Sequence, residues 1–145
     1  MSRVEIMHGV NLNMLGSRDQ NHYGSDDLSE LEWRIERYGK ELGLELLFFQ
    51  TNFEGEFVEE LHKLGSMVDG VILNPGAWTH YAWSLHEALE IASIPAVEVH
   101  ISDVFSREEW RHQSVIRDLC LTTVAGKGAE GYKIALQRLK DEFNQ

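Results

Sequence analysis

The sequence predicts an α/β fold in which a parallel sheet carries helices on both faces. Three observations lead there. Short apolar runs alternate with segments of helical period in the order βαβαβαβ(loop)βα. Runs such as Val71-Ile-Leu73 are continuously apolar, as in strands buried on both sides. The runs are punctuated by Gly, Pro and Asn, as at Asn74-Pro75-Gly76. Alternation of this kind implies parallel strands joined by right-handed crossovers. Five strands point to the flavodoxin-like order 2-1-3-4-5, with the switch in strand order between the first and third.

The elements follow in order. Val4 to Met7 reads as the first strand. His8 to Ser25 is rich in Gly, Asn, Asp and Ser and long for a βα connection, which suggests a lid or binding loop. Ser25 is the expected N-cap of the first helix, with Asp26 and Asp27 at its positive end. Leu28, Leu31, Ile35 and Leu42 give that helix its apolar stripe, and Gly43 ends it. Leu44 to Gln50 is the second strand and Asn52 to Gly55 a turn. Phe57, Val58, Leu61 and Leu64 face inward on the next helix, which stops at Gly65. Val68 to Leu73 is the third strand, and a helical pattern with Ala82, Leu85, Leu89 and Ala92 begins near His80. Pro95 to His100 is the fourth strand, Ile101 to Arg111 a polar loop or short helix, and Leu119 to Ala125 the fifth strand. Gly126-Lys-Gly128 turns into a last helix carrying Tyr132, Ala135, Leu136, Leu139 and Phe143.

Composition narrows the function. A length of 145 residues fits one domain spanning 1–145, with a real core. A net charge of −11 argues against nucleic acid as a partner, yet a few Arg and His can still make a cleft positive. There is no apolar run of membrane length and no signal peptide, so no membrane association is expected. Cys120 is the only cysteine, so no intrachain disulfide can form, and a cytoplasmic setting is expected. Cys120 itself reads as a small core residue. Neither glycine fingerprint of nucleotide binding follows the first strand. Gly126-Lys-Gly128-Ala-Glu-Gly131 comes after the last strand, too late for a dinucleotide site. The histidines show no metal-ligand spacing, so neither a metal nor a cofactor is expected.

Two constellations stand out. Arg18 and Tyr23 lie five residues apart on one loop. As an isolated pair they read most simply as a solvated arginine and a packing tyrosine. Functionally, a free phenol has a pKa of about 10, and a fixed guanidinium favours its anion, which would make a base for a proton beside a carbonyl. Glu98 and His100 share one strand face, because side chains alternate along a strand. They read either as a strand-end pair or as a carboxylate holding an imidazole general acid, with the Ile101 and Ser102 N–H groups offered to an anion.

Six motifs taken together carry a family signature. They are His8-Gly-Val-Asn-Leu-Asn-Met-Leu-Gly16, Arg18 with Tyr23-Gly24, Gln50-Thr-Asn52 with Glu54-Gly55, Leu73-Asn-Pro-Gly-Ala-Trp-Thr-His80, Glu98-Val-His-Ile-Ser102, and Arg107-Glu108 with Arg111. The chain from Val4 to about Leu139 resembles type II 3-dehydroquinate dehydratase. The resemblance implies a flavodoxin-like subunit, assembled as trimers and dodecamers, that eliminates water from 3-dehydroquinate without a cofactor. By position, Tyr23 would take the proton next to the ketone, and Arg18 would keep it ionised. Asn11 would help hold the water that stabilises the enolate oxygen. His100, oriented by Glu98, would protonate the departing hydroxyl. Asn74 with the Ile101 and Ser102 amides would hold the substrate carboxylate, and His80 and Arg111 the ring hydroxyls. Glu87 stands where the family usually carries an Asp that reaches an adjoining subunit's site. The chain also departs from the family's usual residues at His8, Val10, Gln20, Asp103 and Gln113. A small-acid binding protein of the same fold, with weakened catalysis, is the alternative. The resemblance fits both aromatic biosynthesis and quinate breakdown.

Overall fold

In a computed structural model describing residues 1–145, the strands β1 (Arg3–His8), β2 (Glu45–Gln50), β3 (Gly70–Asn74), β4 (Ala96–His100) and β5 (Thr123–Ala125) form one parallel sheet. Its order is β2-β1-β3-β4-β5, as expected. The helices are α1 (Gln20–Tyr23), α2 (Leu28–Leu42), α3 (Glu54–Lys63), α4 (Trp83–Ala92) and α5 (Glu130–Phe143). Alternation along each strand sends residues into two separate apolar layers. Val4, Ile6, Ile72, Val97 and Val99 pack beneath α2 and α5. Met7, Val71, Leu73 and Ala96 pack beneath α3 and α4. The layers hold 17 and 16 buried residues, so neither sheet face is left to solvent. In register, His8 pairs with Asn74 and Leu73 with Glu98. That alignment brings the carboxyl ends of β1, β3 and β4 to one edge, at the switch in strand order where open α/β sheets bind ligands.

Among the boundaries that differ from expectation, three have a clear physical cause. Asp27, not Ser25, caps α2: its side chain accepts from the Glu30 N–H at 2.8 Å, and Glu30 accepts from the Asp27 N–H at 3.2 Å. This reciprocal box satisfies two N–H groups that Ser25, two residues earlier, cannot reach. The helical pattern near His80 begins as a 3₁₀ segment, Gly76–His80, and α4 starts only at Trp83. The fifth strand covers Thr123–Ala125 rather than Leu119–Ala125. Leu119 and Cys120 are apolar because they pack on the α3/α4 layer from a turn, not because they pair in the sheet. Burial pushes the Cys120 thiol up to about 12, so it has no thiolate character at neutral pH.

One glycine sets how closely the site loops approach. A Cβ on Gly9 would collide with the Pro75 carbonyl, so the exits of β1 and β3 touch backbone to backbone. Gly126 has φ +76° and lies over Asp103. Its N–H donates to the carbonyls of His100 (3.3 Å) and Ser102 (3.1 Å), and the Gly128 N–H donates to that of Ile101 (3.3 Å). The glycine-rich turn after β5 therefore braces the exit of β4.

Glu5 is an exception in the sheet. It is 2 % exposed, and one of its carboxyl oxygens has no hydrogen-bond partner. Burial first, then the adjacent Glu60 carboxylate, push its pKa up to about 8, with Lys63 opposing. A carboxyl raised on folding binds its proton more tightly in the native state. Stability is therefore complete below the ordinary carboxylate range and falls as pH rises from about 4.5 to about 8. Glu5→Gln is expected to remove this slope. Thermal melts should show the variant gaining on the parent from pH 5 to pH 8, at up to about 1.4 kcal/mol per pH unit. A pH-independent difference would rule out a protonated native Glu5.

Candidate active site

A cavity of about 150 Å³ opens at the β1/β3/β4 edge. Arg18, Arg107, Arg111, His80 and His100 line it, and no Asp or Glu does. In a chain of net charge −11 this is a local reversal of sign, suited to a small anion. A larger open depression of about 630 Å³ lies behind the lid, and of the expected site residues only Tyr23, Ile101 and Ser102 border it.

The lid segment supplies one wall. Asp19 caps α1 by accepting from the Asn21 N–H at 2.9 Å, which sets the short turn that ends in Tyr23. The Tyr23 hydroxyl receives an Arg18 N–H at 2.9 Å, and the Arg18 guanidinium also lies 3.8 Å from the ring centroid. A second guanidinium, that of Arg107, donates to the same oxygen at 2.7 Å and to Ser102 Oγ at 3.2 Å. Two cationic donors on one phenol oxygen stabilise negative charge there. Arg107 also ties the lid to the loop after β4.

Opposite stands the β4 pair. His100 Nε2 donates to Glu98 Oε2 at 2.6 Å. Thr79 Oγ1 donates to the same oxygen at 2.6 Å, and Ser114 Oγ to Oε1 at 2.7 Å. Burial alone would raise the Glu98 pKa, but the hydrogen bonds from His100, Thr79 and Ser114 outweigh it and hold the carboxyl below its usual range. Glu98 is thus a buried anion whose three hydrogen bonds fix the imidazole and leave its Nδ1 for the cavity.

His80 sits beside His100, ring centroids 6.3 Å apart. Its Nδ1 donates to the Gln113 carbonyl at 2.7 Å. Burial lowers its pKa by more than the Gln113 hydrogen bond raises it, and the nearby His100 and Arg111 act in the direction of burial. The ring is therefore neutral at pH 7, and its Nε2 lone pair can accept from a hydroxyl. Asn74 Oδ1 accepts the Gly76 N–H at 3.2 Å, which orients its side chain at the exit of β3. The Ile101 and Ser102 N–H groups make no hydrogen bond within the chain, as an anion cradle requires. Asn11 adopts a left-handed conformation (φ 70°), which asparagine tolerates better than most residues. Its N–H donates to Asn52 Oδ1 at 2.8 Å, and Gln50 Nε2 bonds both Asn52 Oδ1 and the Gly9 carbonyl at 3.2 Å.

Ten of the eleven site residues expected from sequence border this cavity or, in the case of Glu98, hold a residue that does. Glu87 does not: it is exposed on α4, outside this chain's cavity. Sequence reasoning assigned no role to Arg107, Thr79 or Ser114 as partners of Tyr23 and Glu98, nor to Asn52 as the brace of Asn11. A signal for Arg107 does exist, since an acidic chain places Arg107, Arg111 and Arg117 within one short polar stretch. The hydroxyl partners of Glu98 leave no comparable trace. No group of three or more His, Cys, Asp or Glu side chains is placed to hold a metal ion.

The profile of the family described as dehydroquinase class II matches residues 2–140. The 3-dehydroquinate dehydratase of Caldicellulosiruptor saccharolyticus is 44% identical over 142 residues, covering 97% of this chain and 98% of that protein. The protein of the same name from Thermotoga maritima is 43% identical over 143 residues, covering 99% and 98%. The crystal structure of type II dehydroquinase from Propionibacterium acnes is similar with a TM-score of 0.92 at 36% identity, covering 97% of each chain.

Proposed function

The chain belongs to the dehydroquinase class II family, and from that premise we propose that it is a hydro-lyase converting 3-dehydroquinate to 3-dehydroshikimate by anti elimination through an enolate. The observation that carries the reading is the Tyr23 oxygen, under two guanidiniums, sharing a cation-lined cavity with the imidazole held by Glu98.

In this reading Tyr23, as phenolate, takes the proton next to the ketone. The C–H electrons pass into the ring as an enolate. Asn11 helps hold a water against the enolate oxygen, where charge develops. The electrons then return to form the carbon–carbon double bond as the β-hydroxyl leaves. His100 gives that hydroxyl a proton from Nδ1, and Glu98 balances the charge on the protonated ring. One proton taken by Tyr23 and one given by His100 leave a net loss of water, and exchange with solvent resets both groups. Arg18 and Arg107 stabilise the phenolate and hold the lid across the cavity. The Asn74 NH₂ and the Ile101 and Ser102 amides bind the carboxylate, and His80 and Arg111 bind ring hydroxyls. No step requires a cofactor.

The proposal includes one catalytic domain, a cytoplasmic setting and a homo-oligomer of trimers assembled into a dodecamer. No helix is long and apolar enough to cross a membrane. Tyr81, Trp83 and Ile91 leave large apolar side chains exposed on and beside α4, the helix that carries Glu87, which supports a second copy packing there. Glu87 would then reach the site of the neighbouring subunit. Incubating the purified protein with 3-dehydroquinate should produce the ultraviolet band of a conjugated enone. No band at micromolar protein would overturn the assignment.

A further inference from the structure

Trp110 is 51 % exposed, yet it lines the cavity. Its outer side borders a shallow, open depression with Glu109, His112 and Gln113. The indole thus forms a thin wall between the site and solvent. The Arg111 guanidinium carbon lies 4.1 Å from the centroid of its ring, within cation–π range. The His80 ring meets the indole edge-on, with centroids 5.2 Å apart and planes at 90°.

Apart from the indole, Arg111 is held by one ion pair. Its side chain makes no aligned hydrogen bond, and its buried Nε is unpartnered. Its nearest ionic neighbour is the half-exposed Glu108, 3.3 Å from that Nε. An arginine side chain has many rotamers to lose on binding a ligand, and ordering it beforehand favours binding. The Trp110 face and the Glu108 carboxylate supply that order. His80 is pinned at Nδ1 by the Gln113 carbonyl, and the indole edge limits its remaining tilt.

We propose that Trp110 is the positioning residue of the ring-hydroxyl side of the site: its indole holds the Arg111 guanidinium and the His80 imidazole in their binding orientation. This rests on the dehydratase reading and adds to it a residue that acts through Arg111 and His80 rather than on the reacting atoms.

The test is steady-state kinetics with 3-dehydroquinate for the parent, Trp110→Phe, Trp110→Ala, Arg111→Ala and the double variant Trp110→Ala/Arg111→Ala, with thermal melts alongside. Trp110 is half-exposed, so truncating it leaves the buried core intact, and Phe keeps the aromatic face. Trp110→Ala should raise KM about tenfold, in line with a partly desolvated cation–π contact, and keep kcat within about threefold, since ground-state and transition-state binding are lost together. Trp110→Phe should restore KM to within about threefold of the parent. The double variant should raise KM by less than the product of the two single effects, because Trp110 and Arg111 share one contact, while the indole's hold on His80 adds a smaller separate part. An unchanged KM in Trp110→Ala, multiplying effects in the double variant, or a fall in kcat that Phe does not rescue would each overturn the inference while leaving the dehydratase reading intact. An inactive parent protein would overturn that reading, and this inference with it.

Discussion

Tyr23→Phe is expected to lower kcat by roughly 10²- to 10⁴-fold, the usual contribution of a positioned acid or base, and to leave substrate binding largely in place. The substitution removes one oxygen and keeps the ring. Arg18 still lies over that ring, its guanidinium 3.8 Å from the centroid in the parent. Arg107 retains Ser102 Oγ at 3.2 Å as an acceptor. The cavity wall and the lid therefore survive, and what is lost is the atom that receives the proton. Turnover followed by enone absorbance, with binding measured by calorimetry, separates the two. Turnover within tenfold of the parent would reject Tyr23 as the base.

Glu98→Gln is expected to cut kcat by about 10²-fold or more and to cost about 1–3 kcal/mol of stability, the usual penalty for disturbing a buried hydrogen-bonded group. The carboxylate accepts from Thr79, His100 and Ser114 at 2.6, 2.6 and 2.7 Å. An amide with its oxygen in place of Oε2 can still accept from Thr79 and His100. Its NH₂ then meets Ser114, whose hydroxyl must turn to accept. The shape of the site is kept and the negative charge is lost, so a protonated His100 has no counter-ion. A kcat equal to that of the parent would reject Glu98 as the partner of the acid. The pH dependence of stability gives a second check. The Glu98 pKa is lowered on folding, so its contribution is present above the ordinary carboxylate range and lost as pH falls through the native value. The gap in melting temperature between parent and Glu98→Gln should narrow on acidification. That is the opposite of Glu5, whose raised pKa makes its cost grow with rising pH. Both carboxyls lie in the sheet and both are buried. Hydrogen-bond donors converge on Glu98, whereas Glu5 has another carboxylate beside it.

Much of the site was legible because its parts are local. The period of two along β4 is enough to put Glu98 and His100 on one face. Asn74-Pro75-Gly76 marks a strand end and a turn from residue chemistry alone. The individual roles of Tyr23, Asn11, His80 and Arg111 came from likeness to a family, since no spacing rule assigns them. Where local reasoning failed, a second element had intervened. The fifth strand looked longer because Leu119 and Cys120 satisfy the α3/α4 layer, and apolarity by itself does not separate sheet pairing from packing beneath a turn. Ser25 looked like a cap because the choice between it and Asp27 depends on which side chain meets the Glu30 N–H.

By itself the sequence determined the strand order, the two-sided burial of the sheet, and the three strand ends that meet at the site, because alternation, helical period and turn residues are properties of neighbours along the chain. Only the tertiary structure decided that Arg107 reaches Tyr23 across 84 positions, that Thr79 and Ser114 keep Glu98 charged, and that Trp110 meets His80 at the cavity mouth. Hydrogen bonds and desolvation depend on distances between elements packed as solid bodies, and no local pattern records those distances.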